Sequence, residues 1–152
     1  MRLALAGALA VALLAAAAAS ASTPAAYRAK LNGICRGYTP RFKSFEAALT
    51  KAEANKDDYA YGVGLGQLIG LGLRQDTQLE AVPVPPKLAV RMRPILTRLR
   101  TIDVHLKRAV VDAARGDSQG MLAEITSVNT AGKPLNHLLD TAGLRDCGSN
   151  QP

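Results

Sequence analysis

Between Leu88 and Ala113 the apolar side chains recur at alternating steps of four and three: Leu88, Met92, Ile95, Leu99, Ile102, Leu106, Ala109 and Ala113. That spacing puts them on one seam of an α-helix and holds the seam for more than three heptads. A strand does not fit the pattern, because its side chains change face at every residue. A helix with one long dry seam has to lay it against other helices. The stretch therefore predicts an all-α chain before any other segment is read.

Three further segments carry seams of the same kind. The first is expected to open at Thr23-Pro24, a capping residue followed by a proline suited to the first helical position. It continues along Tyr27, Leu31, Ile34, Tyr38, Phe42, Phe45, Leu49 and Ala52. The stripe passes Pro40 without a change of phase, which favours one kinked helix over a second helix capped by Thr39. Asp57 or Asp58 can cap the next helix, predicted from near Tyr59 to about Ala81 with Tyr61, Leu65, Leu68, Gly72 and Leu79 on its seam. Val82-Pro83-Val84-Pro85-Pro86 reads as an extended connector, and Pro94 should bend the helix that follows. Arg115-Gly116-Asp117-Ser118 is a tight reversal. The last helix carries Met121, Ile125, Val128, Gly132, Leu135, Leu139 and Ala142, is bent at Pro134, and closes on Gly143 and Leu144 in a Schellman ending. Short links between four amphipathic helices predict an antiparallel up-down four-helix bundle.

Residues 1–21 read as an export signal. Arg2 is the basic start, 3–18 is an unbroken apolar run, and Ala19-Ser20-Ala21 fits the small-x-small cleavage rule, placing the cut before Ser22. The run falls short of the ~20 residues that a membrane span needs. The bundle domain is then 22–148, with 149–152 as a flexible tail. In an exported chain the two cysteines, Cys35 and Cys147, predict a single disulfide.

The formal charge is +7 over 152 residues, and loss of Arg2 with the leader removes one unit. Arg93, Arg100 and Lys107 repeat every seven residues, as do Arg91, Arg98 and His105. They make a basic outer face on the third helix, either a solvated surface or an anion-binding strip. Aromatics are 4% of the chain and Trp is absent, which removes the usual stacking platform for single-stranded nucleic acid. With export, this points away from nucleic acid and towards an anionic envelope polymer or membrane surface.

Gly62, Gly66 and Gly70 lie four apart in the second helix. They predict a smooth face for close approach of another helix, or alternatively a docking or ligand-facing groove. Gly64, Gly66 and Gly70 mimic part of a dinucleotide fingerprint, but without a βαβ unit the motif has no meaning. The apolar run 59–73 is too short for a span.

Catalytic and cofactor chemistry finds little support. Met92 or Met121 with His137 could hold haem between helices, but Met on a seam is usually core filler. Glu46, Glu53, Glu80 and Glu124 lack the Glu-x-x-His pairing of a carboxylate di-metal site. There is no G-x-S-x-G, and Asp103 and His105 point to different helix faces. No catalytic residue, metal or cofactor is predicted. The expectation is an exported, non-enzymatic binding or structural module. The alternative is a carrier holding a small apolar ligand or lipid in a cavity beside the glycine-rich helix.

AYRAKLNGICRGYTP at the start, GDSQGMLAEI at the reversal and LNHLLDTAGLRDCG at the end resemble small exported helical-bundle proteins of actinobacteria. The resemblance covers most of the chain after the leader. It implies an extracytoplasmic location and a disulfide-closed bundle, and it supplies no catalytic residue.

Overall fold

In the computed structural model the described residues, 23–149, form four helices and no strand: α1 (Pro24–Ala54), α2 (Asp58–Glu80), α3 (Ala89–Ala114) and α4 (Ser118–Thr141). The predicted leader, with its cleavage point, lies outside these residues. Among the described residues no helix is long and apolar enough to cross a membrane.

Each helix starts where a side chain can accept a bond from an otherwise unpaired first-turn amide. Thr23 Oγ1 accepts from Ala26 N at 3.2 Å, Asp57 Oδ1 from Ala60 N at 2.9 Å, and Asp117 Oδ1 from Gly120 N at 2.8 Å. The exception is α3, which has no side-chain cap and is led in by a 3-10 turn, Pro86–Leu88, off the extended Pro85. α1 runs unbroken through Pro40, as the unchanged phase of its stripe predicts. Gly116 and Gly143 take the left-handed conformation, φ +74° and +82°, that ends a helix with little cost only when no Cβ is present. At Gly143 the Leu144 amide donates back to the Leu139 carbonyl at 2.8 Å, and Leu144 is buried, completing the expected Schellman ending.

α1 packs on α2, α2 on α3 and α3 on α4. The chain returns to α1 through the segment after α4. Arg28 Nε donates to the Ala142 carbonyl at 2.9 Å, Asn32 Nδ2 to the Gly143 carbonyl at 3.0 Å, and Arg36 pairs with Asp146 at 2.5 Å. Cys35 and Cys147 are joined beneath these contacts, 112 residues apart in sequence. In the chain-entropy picture a loop that long confers on the order of 4–5 kcal/mol. Ser149, expected to begin a loose tail, is tied to Asp140 Oδ1 through both its amide and its hydroxyl.

The core is set by α3. Leu88, Met92, Ile95, Leu99, Ile102, Leu106 and Ala109 are all buried and belong to one cluster with Tyr27, Leu31, Ile69, Leu79, Leu135 and Leu139. Only Ala113, at the C-terminal end of the seam, is exposed. α2 departs from expectation. Leu79 is buried, and Leu65, Leu68 and Gly72 are half-buried, but Tyr61 is exposed. The residues α2 buries most deeply are Gly64, Ile69, Leu71, Gln75, Asp76 and Leu79. At 100° per residue these positions flank the predicted seam on both sides, so the inner face is centred as expected but wider, and it includes an acid and an amide. Tyr61 is exposed because it lies near the start of the helix.

Candidate functional site

The outer side of α3 carries the basic residues that the seven-residue spacing picks out. At 100° per residue, Val90, Arg93, Thr97, Arg100, Thr101, Val104, Lys107, Arg108, Val111 and Arg115 share about a third of the helix circumference, opposite the buried seam. All ten are exposed, and none is acidic. Arg93 and Arg100 flank a surface groove of about 250 Å³ floored by Val84, Met92 and Leu96. Lys107, Arg108 and Arg115 border a second groove of about 390 Å³, whose far rim is Asp112 and Glu124. Arg100 Nε is also paired with Glu80 Oε1 at 2.9 Å. Both ends of this pair are solvated enough that it contributes little to stability. The three predicted residues thus share one face but divide between two grooves.

His105 does not belong to that face. It turns towards α4, half-buried, with Nδ1 2.5 Å from Glu124 Oε2. Its position in the helix places it at the α3–α4 boundary, so the second basic series, Arg91, Arg98 and His105, is not a continuous outer strip.

The glycine groove also differs from expectation. A Cβ added at Gly62 or Gly66 would meet nothing within 4 Å, and at Gly70 only the Arg74 guanidinium at 3.8 Å. Gly62 and Gly66 are exposed. Among the described residues no helix packs closely against them. The close approach belongs to Gly64, where an added Cβ would come 3.0 Å from Leu49 Cδ2; at Gly72 it would make ordinary contact with Leu106 Cδ1 at 3.9 Å. Gly64 is buried and Gly72 half-buried, because α1 lies against one side of α2 and α3 against the other.

Where α2 meets α3 the structure holds a feature that periodicity hides. Asp76 is 8% exposed and faces the Asp103 carboxyl of α3. Two carboxylates can share a hydrogen bond only when one of them keeps its proton. Burial, then the Asp103 bond and charge, then Glu80 four residues on, push the Asp76 carboxyl up to about 8. Asp103 Oδ1 and Gln75 Nε2 are buried with no partner. Sequence reasoning weighed Asp103 only against His105 and passed over Asp76. The available signal was a carboxylate in register with the inner residues Gly72 and Leu79.

Among the described residues no three His, Cys, Asp or Glu side chains cluster as a metal site. No protein-family model, curated protein or solved structure matches the chain.

Proposed function

We propose that the protein is an exported, non-enzymatic binding module: an antiparallel up-down four-helix bundle that offers the outer face of α3 to an anionic partner outside the cytoplasm. The observation that carries this reading is the acid-free basic strip containing Arg93, Arg100 and Lys107. A basic strip without interspersed acids projects a positive field that a mixed surface cannot. Export is supported by the leader pattern of residues 1–21 and by the Cys35–Cys147 disulfide. The order of the helices is supported by the pairs between α2 and α3. Glu80 meets Arg100, Asp76 meets Asp103, and Gly72 meets Leu106, so one helix runs back as the other runs forward.

The test is binding of the purified, oxidised chain to soluble poly(glycerol phosphate), followed as salt is raised. Binding is expected to weaken with salt, as exposed charge pairs do, and to be lost in Arg93→Glu/Arg100→Glu/Lys107→Glu. Equal binding by the charge-reversed chain would remove the face from the account.

A further inference from the structure

We infer that the anionic partner of α3 is a lipid bilayer surface, on which the helix lies lengthwise; the inference rests on the anion-binding reading above and narrows it. The basic residues alone would suit any polyanion. The residues between them do not. Val90, Val104 and Val111 are 81%, 46% and 45% exposed and sit among Arg93, Arg100 and Lys107 on the same outer arc. A hydrated polymer gives a valine nothing to bury against. A bilayer interface gives both counterparts at once: anionic headgroups for the cations and the acyl boundary for the valines.

The long Arg and Lys stems strengthen the match. They can lie along the apolar boundary while their charged ends stay at headgroup level. α3 has 26 residues, so it would lay roughly 39 Å of helix along the surface. The association is peripheral, since no described helix can span. Of the neighbouring acids, Glu80 is engaged by Arg100 and Glu124 by His105, while Asp112 lies off the outer arc, on the edge shared with Glu124 of α4.

The experiment is cosedimentation of the full oxidised chain with vesicles of equal parts phosphatidylglycerol and phosphatidylcholine. Pure phosphatidylcholine vesicles and soluble poly(glycerol phosphate) are run in parallel. The mixed vesicles are expected to bind and the pure phosphatidylcholine vesicles not to. Arg93→Gln/Arg100→Gln/Lys107→Gln should lower vesicle affinity by about a hundredfold, at about fivefold per basic residue near an anionic surface. Val90→Ser/Val104→Ser/Val111→Ser should lower it by about tenfold or more, while leaving polymer binding unchanged. All six positions are exposed, so thermal melts of both variants should match the parent. Polymer binding without vesicle binding would overturn the lipid inference and leave the anion-binding face standing. Binding to neither would overturn both. Vesicle binding indifferent to the valine changes would reduce the contact to charge alone and also overturn the inference.

Discussion

α2 and α3 are neighbours of similar length, 23 and 26 residues, yet their outer faces have nothing in common. α3 presents five cations and no acid on its outer arc. α2 presents Tyr59, Gly62, Val63 and Gly66, with no charge between Asp58 and Arg74. The inner faces are reversed in character. α3 buries an almost purely aliphatic seam, whereas α2 buries Gln75 and Asp76 among its apolar residues. A helix whose polar residues all point one way declares its orientation. A helix that is apolar or glycine nearly all round does not, and its neighbours decide which side is buried.

The largest effects should come from positions that differ in legibility but not in burial. Ile95 of α3 and Leu71 of α2 are 1% and 0% exposed; only the first lies on a predicted seam. Ile95→Ala and Leu71→Ala should each cost about 2–5 kcal/mol in urea denaturation. Tyr61→Ala, at a predicted seam position that the structure exposes, should cost less than about 1 kcal/mol. A large loss at Tyr61 with a small one at Leu71 would mean that the start of α2 is covered and the flank of its inner face is not.

Those three residues show where the sequence was readable. α3 could be placed at nearly every position because its charges and aliphatics separate cleanly. The helix ends could be placed because Thr23, Asp57, Asp117, Gly116 and Gly143 each have a local physical role that needs no tertiary partner. The disulfide followed from the cysteine count and the inferred compartment. α2 failed at Tyr61, Gly62 and Gly66, where apolar spacing offered no contrast between faces. The Asp76–Asp103 pair was illegible for a different reason. An acid on an inner face contradicts the binary pattern, and only its partner on another helix explains how burial is tolerated.

That pair supplies the second test, with an effect that depends on pH. With the Asp76 carboxyl raised to about 8, the native chain holds a proton that the unfolded chain releases above its ordinary value near 3.8. The stabilisation is therefore complete below the unfolded value and is lost as pH rises through the folded one. Across that window the folding equilibrium should fall by up to about tenfold per pH unit from this group, so the protein should be more stable at pH 5 than at pH 8. Asp76→Asn keeps a donor towards Asp103 without needing a proton. It should flatten the slope and stabilise the chain at pH 8. Parallel stability–pH curves for the parent and Asp76→Asn would mean that the carboxyl is not held protonated, and the α2–α3 boundary would be an ordinary apolar contact.

The smallest effects separate the two sides of α2 itself. Both Gly64 and Gly66 are mid-helix, where alanine is favoured over glycine by about 0.5–1 kcal/mol. At Gly66 nothing lies within 4 Å of the added methyl, so Gly66→Ala should realise that gain, raising Tm by roughly 2–4 °C. At Gly64 the methyl meets Leu49 Cδ2 at 3.0 Å. The end of that side chain has to move aside, which offsets the propensity gain and leaves Gly64→Ala below Gly66→Ala. The order carries more than the size. If Gly66→Ala instead lowered Tm at high protein concentration and raised it at low concentration, the uncharged face of α2 would be covered in solution by another copy of the chain. The contrast with the solvated basic face of α3 would then be one between a surface for self-association and a surface for an anion.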